Sequence, residues 1–123
     1  MAVYGICFDP AGKFLLSGGK DAHLNIWDVE NEFKRIDSIP AHNFGIYSIG
    51  YNSDKTLFAT ASRDKTIKIW NAADFSFLLR IDKAGFEGHI NSVNKIMWTR
   101  HNQLLSCSDD RSIICWEIQS TGH

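Results

Sequence analysis

The chain has 123 residues, one ordinary domain by length, with 13 Lys and Arg against 14 Asp and Glu for a net charge of −1. Its 44% hydrophobic and 22% charged residues match a globular chain and exclude a disordered or collagen-like one. No apolar run approaches the roughly 18 residues of a membrane span, and the near-neutral balance argues against a protein that grips a nucleic-acid backbone.

Apolar and polar residues alternate with a period of two, which predicts strands. Residues 2–8 form a first strand, followed by the turn residues Asp9-Pro10-Ala11-Gly12. A second strand covers 14–18, a third 22–28, and a more variable fourth about 33–39. The series restarts at 46–52, turns at Asn52-Ser53-Asp54-Lys55, and continues through 56–61, 65–70 and about 75–82. A third round runs through 92–98, the turn Arg100-His101-Asn102, 103–107 and 112–117. No stretch offers helical periodicity with caps. The expected fold class is all-β: three four-stranded antiparallel units at 2–39, 46–82 and 92–118, the last without its outer strand.

The three rounds are copies of one repeat. Trp27, Trp70 and Trp116 lie 43 and 46 residues apart, each closing an alternating run and followed by an acid or amide: Asp28, Asn71, Glu117. Six residues before each tryptophan is an aspartate (Asp21, Asp64, Asp110), and four before that a hydroxyl (Ser17, Thr60, Ser106). Val3, Ile46 and Val93 correspond, as do Ile6, Ile49 and Ile96, and the aromatics Phe8, Tyr51 and Trp98. Four residues before Ile46 stands His42, in Ala41-His42; four before Val93 stands His89, in Gly88-His89.

On these residues the chain resembles the WD-repeat β-propellers over essentially all of 2–118. Ala41 in place of glycine before His42, and Asn71 and Glu117 in place of aspartate, depart from the pattern. The resemblance implies that the three units are propeller blades. It also implies a hydrogen-bonded structural tetrad in each, with aspartate accepting from histidine, histidine bonding the hydroxyl, and the hydroxyl meeting the indole N–H. The tetrads would be His42, Thr60, Asp64 and Trp70, then His89, Ser106, Asp110 and Trp116, with Ser17, Asp21 and Trp27 the remnant of a third. A hydrolase triad of Ser106, His89 and Asp110 is the competing reading. It is disfavoured because the arrangement recurs and no Gly-x-Ser-x-Gly elbow surrounds the hydroxyls. We therefore expect a non-enzyme without cofactors.

Cys7, Cys107 and Cys115 include no CxxC pair, and His23, His42, His89, His101 and His123 no HxH or HExxH spacing. We expect no metal, and buried reduced thiols in a cytoplasmic protein. The resemblance further implies a scaffold for a protein or peptide partner, with no nucleic acid and no membrane. Docking is expected on the loop face that carries Lys20, Arg63 and Asp109 before the repeat aspartates and Asn43, Phe44 and Asn91 after the histidines. Lys20 and Arg63 on adjacent blades would receive an acidic or phosphorylated motif. Propellers have roughly four to eight blades, so three leave two sheet faces open. Val3, Ile6 and Phe8 are expected bare at one end, and Ile96, Trp98 and Ile113 at the other. We expect a piece of a longer protein, in which Gly85 and Phe86 mark a longer loop. The alternative is a short chain that associates, two copies making a six-bladed ring.

Overall fold

The computed structural model describes residues 2–82 and 91–118. Gly85, Phe86, Gly88, His89 and His123, singled out above, lie outside them. Among the described residues, eleven strands form three antiparallel sheets, each in chain order. The first holds β1 (Val3–Phe8), β2 (Phe14–Gly19), β3 (His23–Asp28) and β4 (Lys34–Pro40). The second holds β5 (Ile46–Tyr51), β6 (Leu57–Ser62), β7 (Ile67–Asn71) and β8 (Phe77–Ile81). The third holds β9 (Val93–Trp98), β10 (Gln103–Ser108) and β11 (Ile113–Glu117).

The turns repeat as closely as the strands. At the first hairpin the N–H of Gly12, Lys55 and Asn102 donates to the carbonyl of Asp9, Asn52 and Thr99. The donors take φ of 73°, 67° and 59°, the left-handed region that glycine and asparagine enter most cheaply. At the second hairpin Ala22, Lys65 and Arg111, with φ of 66°, 74° and 67°, donate to Gly19, Ser62 and Ser108. Among the described residues the structure adds one helical piece that the sequence did not suggest, a 3-10 turn at Val29–Asn31, too short to show a period. Asp28 caps it, its Oδ1 accepting from the Glu30 N–H at 3.1 Å. Asn71 Oδ1 accepts likewise from the Ala73 N–H at 2.8 Å. The residue after each of these tryptophans thus holds the turn that leads to the outer strand.

The sheets stack through their first strands, β5 lying between β1 and β9. β5 and β9 present their large apolar residues to the sheet before them. Ile46 lies against Gly18, and Leu16, Leu24 and Phe58 complete the cluster between the first two sheets. Val93 and Ile96 join Ala61, Ile67, Ile69 and Leu104 between the second and third. Among the hydrogen bonds that cross the latter interface are Trp98 Nε1–H to the Gly50 carbonyl at 2.9 Å and Ile96 N–H to Ser48 Oγ at 3.2 Å.

This direction of stacking corrects part of the sequence reading. Val3, Ile6 and Phe8 are exposed, and so is Ile113, but Ile96 is buried and Trp98 half-buried, because both point at the second sheet. The residues bare at that end are Met97, Ile113 and Cys115. The thiols differ too: Cys107 and Cys115 lie on the uncovered face of the third sheet, half-buried and exposed respectively, and Cys7 is half-buried opposite Leu16 on the face of the first sheet that meets the second.

A Cβ on Gly18 would stand 2.6 Å from Ile46 Cγ2, inside contact distance. The corresponding pair at the next interface is Ala61 with Val93, a larger floor under a smaller side chain. Gly18→Ala is therefore expected to cost about 1–3 kcal/mol through overpacking. Ile46→Val alone should cost about 0.5–1.5 kcal/mol. The double variant, which reproduces the Ala–Val pairing, should be more stable than the sum predicts, as a double-mutant cycle of urea unfolding will measure.

Candidate functional site

The polar framework of each sheet is built from offsets that a hairpin enforces. Ser17, Thr60 and Ser106 sit on the second strand, ten residues before the tryptophan of the third. In all three sheets the indole Nε1–H donates to that hydroxyl: Trp27 to Ser17 at 2.9 Å, Trp70 to Thr60 at 3.0 Å, and Trp116 to Ser106 at 2.9 Å. In the second sheet the network is complete. His42 Nε2 lies 2.7 Å from Thr60 Oγ1, and Nδ1 lies 2.8 Å from Asp64 Oδ2. A proton on Nδ1 gives every group its partner: Trp70 N–H to Thr60, Thr60 O–H to His42 Nε2, and His42 Nδ1–H to Asp64.

Asp64 gathers more than the histidine. Its carboxylate also accepts from the Asn43 and Thr66 backbone N–H groups, at 3.1 and 2.9 Å, and from the Thr66 hydroxyl. Burial by itself raises its pKa. The hydrogen bond and charge of His42, with the Thr66 hydroxyl and the Asn43 amide, outweigh that and hold it well below the usual carboxylate range. Lys68 donates its ammonium to the carbonyl of Ala41, fastening the loop that delivers His42. Burial pulls Lys68 downward, opposed by the charge of Asp64.

The other two sheets share parts of this arrangement. Asp110 Oδ1 accepts from the Ser112 N–H at 2.9 Å and from its hydroxyl, as Asp64 does from Thr66. The His89 that would complete that set lies outside the described residues. Asp21, which is exposed, accepts from the His23 N–H at 3.1 Å. The hydroxyls of Thr66 and Ser112, two residues after the aspartate, were missed in the sequence, although their common offset was readable there. The triad-like geometry of Thr60, His42 and Asp64 cannot present a nucleophile, because Thr60 is fully buried beneath Trp70.

The turns that carry the aspartates form one rim. The N–H of Lys20, Arg63 and Asp109 donates to the carbonyl of Ala2, Gly45 and Ser92, pinning each turn to the start of its own first strand. The first strand then bulges, at Tyr4, Tyr47 and Asn94 respectively. These bulge residues were also missed. Their side chains differ in type, and only a shared position in the repeat marks them.

On the first two sheets the rim is continuous. A Cβ on Gly45 would lie 3.5 Å from Lys20 Cα and 3.3 Å from the Tyr4 ring, and Tyr4 meets Tyr47 edge-on at 5.3 Å. Phe44, half-exposed, lies under the Arg63 guanidinium at 5.7 Å, and its carbonyl accepts from Ser62 Oγ at 3.0 Å. Lys20, Arg63, Asn43 and Phe44 are thus brought together and exposed. Asp109 is exposed but engaged, accepting from Asn94 Nδ2 at 2.7 Å. Asn91 is exposed beside Ser92, whose Oγ donates to the Arg63 carbonyl at 3.4 Å.

The architecture and the repeats agree with known proteins. The profile of the WD domain, G-beta repeat matches residues 1–28, 33–71 and 81–117. Cell division cycle protein cdt2 of Schizosaccharomyces pombe is 34% identical over 78% of this chain and 21% of its own length. Protein HIRA of Dictyostelium discoideum is 28% identical over 95% of this chain and 12% of its own. A probable cytosolic iron-sulfur protein assembly protein 1 of Candida glabrata is 29% identical over 98% and 38%. The chain therefore spans well under half the length of these relatives. Among solved structures, that of U3-55K superposes with a TM-score of 0.84 at 26% identity, covering 94% of this chain and 36% of that one. The RRP9 WD40 repeats give the same TM-score and identity. With the repeat profile matched three times and the stacked four-stranded units in place, the chain belongs to the WD domain, G-beta repeat family.

Proposed function

We propose that this chain is the binding part of a protein-interaction scaffold, and that its rim takes an acidic or phosphorylated peptide segment between Lys20 and Arg63. Proteins of this family bind other proteins and typically serve as non-enzymatic scaffolds. The observation that carries the reading is the join at Gly45, which sets Lys20 of one sheet beside Phe44 and Arg63 of the next. Arg63 stacks on the aromatic face and keeps its N–H edge for a carboxylate or phosphate, a planar, bidentate acceptor or its equivalent. Phe44 supplies an apolar anchor beside the charge. The backbone bonds from Lys20 and Arg63 fix both cations without ordering a loop, which lowers the entropic cost of binding. The three free thiols support a reducing, cytoplasmic setting. In a longer protein of this family the same rim would continue around further blades.

An array of acidic, phosphoserine-containing, neutral and basic peptides tests this. Retention is expected to concentrate in the acidic and phosphorylated members and to fall as salt rises. Arg63→Glu should weaken it roughly 10- to 100-fold, the equivalent of one charge-assisted hydrogen bond lost at about 1.5–3 kcal/mol. Retention indifferent to peptide charge, or unchanged in Arg63→Glu and Lys20→Glu, would overturn the proposal.

A further inference from the structure

The outer edge of the second sheet departs from that of the first at positions their common register makes equivalent. In both sheets the third and fourth strands pair in step, with a shift just before the tryptophan. Arg80 therefore stands where the first sheet has Ser38, Leu79 where it has Asp37, and Phe77 where it has Arg35. Lys68 takes the place of Asn25 and, in the third sheet, of Ile114. β4 carries the residues that keep an edge strand from pairing, with Lys34, Arg35 and Asp37 along it and Pro40 at its end. β8 reads Phe-Leu-Leu-Arg-Ile and has no proline. Both strands are outermost in their sheets among the described residues. The second sheet has a neighbour on each side, so β8 is the outer margin of an enclosed blade and not an end of the stack.

This edge combines apolar surface with unbalanced positive charge. Phe77 and Leu78 are each 51% exposed, and Phe77 is held edge-on against Trp70 at 5.6 Å. Lys68 and Arg80 stand directly opposite each other, a like-charged pair that weakens the sheet, where the neutral Asn25 and Ser38 of the first sheet avoid the repulsion. Burial lowers the pKa of Lys68; the charge of Asp64 opposes this and that of Arg80 adds to it. The Lys68 ammonium lies 5.6 Å from the centre of the Phe77 ring and donates to the Ala41 carbonyl, and among the described residues no carboxylate pairs with it. The Arg80 side chain is 59% exposed and engages Asp82 through Nε at 3.1 Å, which leaves the Nη edge of the guanidinium for another acceptor. An acidic side chain beside Arg80 would offset the repulsion within the pair. On the other face of the strand Leu79 and Ile81 belong to the cluster between the second and third sheets.

We propose that β8 is the docking edge for an extended segment of a partner protein in which acidic and apolar residues alternate. The segment adds to the second sheet as a fifth strand, its main chain bonding along β8 and its side chains sorted by face. The acidic ones lie on the face of Arg80 and Lys68, and the apolar ones on the face of Leu79, extending the cluster between the second and third sheets. Alternation in the partner thus matches alternation in the edge. Lys20, Arg63 and Phe44 lie on neither β7 nor β8, so this inference stands or falls apart from the rim.

Amide hydrogen exchange on the full chain tests it, with a peptide of alternating valine and glutamate, about eight residues long, as the probe. Exchange across Phe77–Ile81 is expected to slow roughly 10-fold when the peptide is in excess. A valine–lysine peptide should give no such slowing. Neither should a valine–glutamate peptide with proline at its inner positions, which cannot complete the main-chain bonds. Arg80→Glu should abolish the slowing. If that variant fails to fold, as circular dichroism will show, Arg80→Ser replaces it, carrying the residue that the first sheet has at this place. No slowing across β8, equal slowing by the lysine or proline peptide, or slowing that persists in the Arg80 variant would each overturn the proposal. Slowing confined to Asn43, Phe44 and Arg63 would place the peptide on the rim and overturn it as well.

Discussion

Phe58→Ala is expected to remove about 3–5 kcal/mol of stability. The ring is fully buried on β6 and faces the first sheet. It stacks on Trp70 at 5.9 Å with the planes 5° apart, tilts against Tyr51 at 5.3 Å, and meets Phe75 edge-on at 6.1 Å. Phe75 in turn meets Phe14 of the first sheet at 5.7 Å. Phe58 therefore holds the tetrad tryptophan on one side and the neighbouring sheet on the other. Its removal leaves a cavity that two hydrogen-bonded sheets cannot close by shifting, because β5 and β7 fix β6 on both edges. A chain of this size has about 5–15 kcal/mol in all, so the variant should be partly unfolded at room temperature. The measurement is urea unfolding at one fixed chain concentration, with a lower midpoint and an unchanged slope expected. Leu78→Ala on the outer strand, where the side chain is half-exposed, should change stability by less than about 0.5 kcal/mol. Equal effects from the two would mean that the aromatic chain carries no more than surface packing.

Most of this core was readable because β geometry is rigid. Alternation fixed which residues share a face, and the hydroxyl-to-tryptophan offset of ten residues recurred because a tight turn joins two strands of fixed rise. That is why Ser17, Thr60 and Ser106 could be paired with their tryptophans from the sequence. Alternation does not say which neighbour a face meets. Ile96 and Trp98 were assigned to an open end on that account, and lie instead against Ser48 and Gly50. Bulges were invisible for a related reason. They are shifts between two strands, and Tyr4, Tyr47 and Asn94 share a place in the register but no chemistry. The outer strands were blurred because they have little to bury: β4 is exposed at most of its positions, so no face imposes a pattern. On the rim, Lys20 and Arg63 were legible as turn residues. The cation over Phe44 and the capture of Asp109 by Asn94 depend on how loops fold back, which no local spacing encodes.

The second large effect belongs to Thr60. Thr60→Val keeps the shape and removes the one atom that both Trp70 Nε1 and His42 Nε2 contact. Two buried polar groups then lack partners, each at about 1–3 kcal/mol, so a loss of about 2–4 kcal/mol is expected once local relaxation is allowed. Ser17→Ala should cost only about 1 kcal/mol, because one donor is affected and Trp27 is half-buried. Thr60→Ser, which keeps the hydroxyl, should recover most of the loss. The network also sets an acid limit. Asp64 is held below its ordinary value in the folded chain, so the unfolded chain takes up its proton first. Its contribution is complete above about pH 4, the value of a free carboxyl, and drains away as pH falls toward the depressed folded value. Asp54 and Asp74, lowered chiefly by the hydroxyls of Thr56 and Ser76, act in the same direction from exposed positions where solvent screens them. Asp64→Asn should therefore be less stable than the parent at pH 7 yet lose less on acidification, so that the two stability curves converge below pH 4. Parallel curves across that range would show that the Asp64 carboxylate is no better stabilised in the folded chain than in water, and that the His42 contact orders the loop without anchoring it.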